Sequence, residues 1–173
     1  QHIKVQDRDE WVNSSEFDLI PTVLPVKQLR ENTVTELNLS NSGLGVDGGI
    51  MLAAVLEGNQ SVQWVGVSGN ELGPEGGKAI ADALQTNVVL QSIEIGSKDN
   101  PAIIPIKQLR DNSVDVLDYS GKKLLSEGGI VLAAALTVTQ NTSVTTVSDI
   151  VRFCRLDLKM LDLTVFPLLP TSR

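Results

Sequence analysis

The chain has 173 residues, enough for one domain with a real core. Hydrophobic residues make up 42% but aromatic residues only 3%, so that core has to be aliphatic. A net charge of −7 argues against a nucleic-acid binder, which needs a basic face to neutralise phosphates, and against docking on an anionic membrane. Solubility alone accounts for the acidity.

The single cysteine, Cys154, excludes an internal disulfide framework and points to a reducing compartment. Four N-x-[ST] triplets, at Asn13, Asn38, Asn59 and Asn141, match the glycosylation pattern, but Asn and Ser are frequent in the turns of repeat proteins. No secretory leader is visible, and the opening residue, Gln1, leaves room for an upstream start or targeting segment. No apolar stretch reaches the roughly 18 residues of a membrane span, so direct membrane insertion is not expected. The expected location is intracellular, in the cytoplasm, or in an organelle if a targeting segment has been removed.

In chain order, residues 1–23, with Trp11, Phe17 and Ile20, read as an N-terminal cap or extension. A short turn at Lys27–Arg30 precedes the segment Val34-Thr-Glu-Leu37-Asn-Leu39, whose apolar residues alternate as in a strand with one buried face. That segment recurs as Val62-Gln-Trp-Val65-Gly-Val67 and as Leu90-Gln-Ser-Ile93-Glu-Ile95, then as Val114-Asp-Val-Leu117-Asp-Tyr119, with a truncated copy at Val144–Val147. After three of the strands comes a turn and then a helix. In the second unit Pro74 and Glu75 suit a helix start, and Gly76, Ile80, Ala83 and Leu84 share one face. Gly48, Leu52, Val55 and Leu56 form the matching column in the first helix, and Gly128, Leu132, Ala135 and Leu136 in the last. The third unit, with Pro101 and Pro105, opposes a full helix and leaves room for one helical turn near Lys107–Arg110. Residues 148–173 form a C-terminal cap or tail.

A longer period overlies the short one. Residues 24–56 and 104–136 align at an offset of 80 without a gap, with 17 of 33 positions identical, which chance does not produce. The units resemble the ribonuclease-inhibitor-like leucine-rich repeat family over about residues 24–147, most closely from Val62 to Asn87. The resemblance implies an α/β fold, a short leucine-rich-repeat solenoid of about five units, with parallel strands lining a concave surface and helices on the convex one. The family's turn Asn is kept as Asn70 but replaced by Ser42, Lys98 and Lys122 in the other full copies.

Catalytic chemistry is not expected. Gly43-Leu-Gly45-Val-Asp-Gly48 matches a dinucleotide fingerprint, yet its repeat equivalents keep the final glycine and lose the first, so the repeat explains it without a ligand. Gly73-Pro-Glu-Gly-Gly-Lys78 fails the P-loop spacing, and Ala79 stands where a Mg²⁺-binding hydroxyl would be. The one histidine, His2, sits at an end expected to be mobile, and one Cys with one His makes no zinc site. The expectation is therefore no catalytic residue, no cofactor and no metal.

The remaining candidates are surfaces for a protein partner. Alternation places Glu36, Asn38, Ser40, Trp64, Gly66, Ser68, Ser92, Glu94, Val116, Asp118 and Ser120 on the solvent side of the strands. Trp64 reads either as an interface anchor or as a residue packed under the N-terminal segment. The second candidate is the outer face of two helices. Ile50 and Ala54 lie beside Met51 and Ala53, and Ile130 and Ala134 beside Val131 and Ala133, where the middle helix has Lys78 and Asp82. Lys27, Arg30, Lys107 and Arg110 read as solvated helix ends. The leading function is a non-catalytic interaction or scaffold module, as a subunit of a larger assembly. The alternative is a regulator of a small GTPase, implied by the same repeat family through Ran GTPase-activating protein.

Overall fold

The computed structural model describes residues 2–4 and 24–148. In order these form β1 (His2–Lys4), α1 (Val26–Arg30), β2 (Glu36–Asn38), α2 (Gly45–Gly58), β3 (Trp64–Gly66), α3 (Gly73–Ala83) and β4 (Ser92–Ile95). Then come β5 (Ala102–Ile104), α4 (Ile106–Arg110), β6 (Val116–Asp118), α5 (Leu125–Val138) and β7 (Thr146–Ser148). The expected caps at 1–23 and 148–173 lie almost entirely outside the described residues.

Each strand is short because its apolar residues alternate over a few positions only. Leu37, Val65 and Ile93 are paired side by side in β2, β3 and β4 and are fully buried. Val34, Val62 and Leu90, at the first position of the repeat, are buried with them. The parallel register β2–β3–β4 puts Glu36, Trp64 and Ser92 in one row and Asn38, Gly66 and Glu94 in the next.

The helices stack through glycine. A Cβ on Gly49 would lie 3.2 Å from the Cα of Gly76, and one on Gly77 only 2.6 Å from the Cα of Glu127. These contacts define the sides of each helix. The Gly49/Ala53 and Gly77/Ala81 side faces the following helix, while the Met51, Ala79 and Val131 side faces the preceding one. Val131 is therefore fully buried against α3, whereas Met51, in the first long helix of the stack, is 40% exposed.

Asparagine side chains close the loops. Asn87 Nδ2 donates to the carbonyls of Leu56 (2.7 Å) and Asn59 (3.2 Å), while its Oδ1 accepts from the N–H of Val89 and of Leu90. Asn59 and Asn141 do the same toward Leu29 and Leu109. Each amide thus ties its unit to the one before. Asn70 performs the equivalent task at the strand exit. It accepts from the N–H of Ser42 and of Leu44, and donates to the carbonyls of Leu39 and Val67. A buried loop backbone needs such partners.

Two features depart from the expected row of parallel strands. His2–Lys4, expected to be mobile, pairs as β1 in parallel with β2. Ala102–Ile104 forms a strand, β5, antiparallel to β4. Pro101 and Pro105 exclude a helix at this point, and two β-branched isoleucines favour the extended chain. β5 is thus the edge strand that ends the first sheet, and β6 and β7 pair as a separate parallel one. The single helical turn expected near Lys107–Arg110 is α4.

Candidate functional site: the solvent side of the strands

The strand side chains that point away from the core line the outer side of both sheets. Glu36, Asn38, Val116 and Asp118 are exposed, and Trp64, Ser92 and Glu94 are half-buried. Gly66 supplies the floor of this surface. A Cβ there would meet Trp64 Cη2 at 2.6 Å, Ser40 Oγ at 2.9 Å and Asn38 Oδ1 at 3.1 Å, so the indole of Trp64 lies over the glycine. Trp64 is thus on the solvent side of the strands, seated in space that the glycine leaves open, while residues 5–23, the segment under which it was alternatively expected to pack, lie outside the described residues.

Glu94 stands next to Gly66 in register, and two hydroxyls fix its carboxylate. Ser68 Oγ donates to Oε1 at 2.8 Å and Ser40 Oγ at 3.3 Å. On the other side of Glu94, directly opposite in the β4–β5 pair, is Ile103, 54% exposed. Strand neighbours lie about 4.8 Å apart, so the indole, the Glu94 carboxylate and the Ile103 side chain follow one another along a single row. Sequence reasoning missed Ile103 because it read 96–105 as a helix-free connection. No alternation in the sequence marked it, since Ala102, Ile103 and Ile104 are all apolar and only the folded strand exposes the middle one.

On the second sheet, Asp118 accepts from the backbone N–H of Ser120 at 2.9 Å. The Ser120 hydroxyl, then this N–H, hold its carboxyl below the ordinary range. Asn38, one long period earlier, makes the same bond to Ser40. Next to Asp118, burial pushes the phenol of Tyr119 above its ordinary value.

The helix side gives a divided answer. On α2, Ile50 (45% exposed), Met51 and Ala54 are exposed, but Ala53 is buried against α3. On α5, Ile130, Ala133 and Ala134 are half-buried and Val131 is buried. The two helices therefore do not present equivalent surfaces. Lys78 and Asp82 are exposed as expected, and Asp82 Oδ1 accepts from Gln85 Nε2 at 3.4 Å.

One further expectation is corrected. Arg110 is not a solvated helix end, since it donates to the carbonyls of Val88 (2.8 Å) and Asn87 (3.2 Å). Lys27 and Lys107 pair with Glu31 and Asp111 one turn on. The glycines of the 43–48 motif serve the turn. Gly45 and its equivalents Gly73 and Leu125 all have φ near +60°, so the conformation persists where the glycine does not. A groove between the loops at 58–60 and 86–89 is floored by Asn59 and Asn87, whose amides are already bonded within the fold. No cluster of three or more His, Cys, Asp or Glu able to hold a metal occurs among the described residues. Nor is any described helix long and apolar enough to cross a membrane.

The family pattern described as "Leucine Rich repeat" matches residues 31–53 and 58–81. The chain carries leucine-rich repeats. The matched stretches take in β2 with the first part of α2, and β3 with most of α3, together with the turns between them. No curated protein matches the chain. Leucine-rich repeats in general mediate protein–protein contacts, and the strand surface just described is built on the two matched repeats and the unit after them.

Proposed function

We propose that this leucine-rich-repeat protein is a non-catalytic interaction module, a short solenoid of the ribonuclease-inhibitor-like type that docks a protein partner on its strand side and works as one subunit of a larger assembly. One observation carries the reading. Trp64, Ile103 and Val116 are large apolar side chains held toward solvent on the strands, where the fold itself gains little from them. Half-exposed tryptophans with polar surroundings are frequent interface centres. The single cysteine of the chain fits work inside the cell.

The GTPase-regulator reading draws no support from the side chains that would serve it. Asn70 is engaged entirely with backbone, and Arg110 is tied to the α3–β4 loop. The exposed row Ile50, Met51 and Ala54 on α2 is the competing docking face.

Mild purification from the native source, with mass spectrometry of what travels along, tests the proposal. A stoichiometric partner is expected to be lost on Trp64→Ala and on Ile103→Asp, yet kept on Ile50→Asp. The opposite pattern would move the interface to α2, and a protein without any stable associate would sink the reading.

A further inference from the structure

The chemistry of the strand row is more specific than an apolar patch. In β1 the register sets His2 and Lys4 beside Glu36 and Asn38, at the far edge of the sheet from β4. From β2 to β7 the solvent-side strand positions are 36, 38, 64, 66, 92, 94, 103, 116, 118, 146 and 148. They include Glu36, Glu94 and Asp118, and neither Lys nor Arg is among them. Glu94 is the carboxylate set between two apolar groups, with the Trp64 indole on one side and Ile103 on the other. Its hydroxyl partners, Ser68 and Ser40, are neutral, so they fix its position without neutralising its charge.

Resting on the protein-binding reading above, we propose that this row is a cation-reading subsite, which takes an arginine of the partner flanked by an aliphatic residue. The guanidinium stacks on the Trp64 ring and donates to the Glu94 carboxylate, and the aliphatic neighbour covers Ile103. Charge complementarity selects a cationic partner, since a carboxylate half-buried beside an indole repels an anion and gains less from a neutral donor than from a charged one. Geometry selects arginine over lysine. A planar guanidinium can stack and donate from its edge at once, whereas an ammonium is a strongly hydrated point charge. The Gly66 floor leaves room for the indole beside the carboxylate, and no other described strand position has a tryptophan.

The test uses the full chain and three blocked peptides, Ala-Leu-X-Leu-Ala with X as arginine, lysine or citrulline, the last being the neutral isostere of arginine. Backbone and indole N–H shifts are followed by NMR up to ~10 mM peptide, because a single side-chain anchor gives affinities in the millimolar range. The arginine peptide should shift the Trp64 indole and the Glu94 and Ile103 amides saturably, with lysine weaker and citrulline about fivefold weaker or more. Glu94→Gln, which keeps shape and hydrogen bonding, should bring the arginine affinity down to the citrulline value, and Trp64→Phe should weaken it less than Trp64→Ala. Equal affinity for arginine and citrulline, no saturable shift with any peptide, or shifts unaffected by Glu94→Gln would each overturn the inference. Those results would leave the broader reading standing if a partner recovered from the native source still depends on Trp64 and Ile103. If that dependence is also missing, both fall.

Discussion

The helix stack makes the sharpest stability prediction, because three glycines on similar helices face three different surroundings. A Cβ at Gly58 would meet nothing within 4 Å. At Gly49 it would lie 3.2 Å from both the Gly76 Cα and Leu72 Cδ2, a squeeze of a few tenths of an ångström that one flexible side chain partly absorbs. At Gly77 it would lie 2.6 Å from the Glu127 Cα, 2.9 Å from its Cβ and 3.0 Å from its carbonyl oxygen. Carbon contacts settle at about 3.5–4.0 Å, so α3 and α5 would have to part by about 1 Å along their contact. Each Gly→Ala change gains up to ~1 kcal/mol of helix propensity, less at Gly58, the last residue of its helix. Overpacking costs about 1–3 kcal/mol, and an obstacle made of backbone belongs at the upper end. The expected order is therefore Gly58→Ala stabilised by a few tenths of a kcal/mol, Gly49→Ala near neutral, and Gly77→Ala destabilised by ~2 kcal/mol. Urea unfolding of the full chain followed by far-UV circular dichroism measures this, provided the slope with denaturant is unchanged. A Gly77→Ala protein as stable as Gly49→Ala would show that α3 and α5 do not touch at that point, and the whole assignment of helix sides would fail with it.

Other outcomes follow from single residues. Asn87→Leu removes four hydrogen bonds, leaves the Asn59 carbonyl and the N–H groups of Val89 and Leu90 without partners, and should cost ~3 kcal/mol in the same unfolding assay. Leu125 holds φ +58°, where a side chain is strained by ~1 kcal/mol, so Leu125→Gly should raise the unfolding midpoint in spite of the lost leucine surface. The Asp118 carboxyl, followed by NMR, should titrate below its ordinary value and move up on Ser120→Ala. Because its folded value is depressed, its contribution to stability is present above the ordinary carboxylate range and disappears as the pH falls through the folded value. Tyr119 has the opposite sign. Its raised folded value means stability is complete below the ordinary phenol range and falls as alkaline pH ionises the unfolded chain first. The chain's one tyrosine should accordingly show its phenolate absorbance later in the native protein than in urea.

The parts of this fold legible in the sequence are those that a repeat has to restate. Gly76, Ile80, Ala83 and Leu84 were assigned to one helix face from spacing alone, and all four are buried. The strand positions Leu37, Val65, Ile93 and Leu117 could be read because burial on one side forces alternation. What could not be read depends on partners distant in sequence or on place in the stack. β5 is three residues long, too short for periodicity, and the turn before it is held from afar. The N–H of Ser97 donates to the Lys123 carbonyl at 2.8 Å, and that of Lys123 to the Asn100 carbonyl at 2.9 Å. Met51 and Val131 occupy the same column of the repeat, yet only Val131 has a helix before it to pack on. Arg110 looked like a solvated end because its partners lie more than twenty residues earlier, across the α3–β4 loop. At the candidate site the solvent-side placement of Trp64 and Glu94 was legible from alternation, while Ile103 and the seating of Trp64 over Gly66 depend on contacts that alternation does not carry.

The repeat also separates framework from choice. Asn59, Asn87 and Asn141 recur because each performs one backbone task, and the core columns recur because each fills one space. The two solvent-side columns of the strands do not recur. The first runs Glu36, Trp64, Ser92, Val116 and the second Asn38, Gly66, Glu94, Asp118. A fold that accepts acid, indole, hydroxyl and isopropyl at one repeated position is not using that position for its own stability. Trp64 and Gly66 must then be exchangeable for the first unit's residues at little cost. The double change Trp64→Glu with Gly66→Asn removes the indole that an added Cβ would strike first, leaving Ser40 Oγ and Asn38 Oδ1 as its close neighbours, both ends of movable side chains. Its unfolding free energy should stay within ~1 kcal/mol of the parent, because the first unit already carries these two residues at the same register positions, while docking on the strand side is abolished. A collapse in stability would mean that Trp64 belongs to the core after all, and the strand surface would lose its claim to be the site.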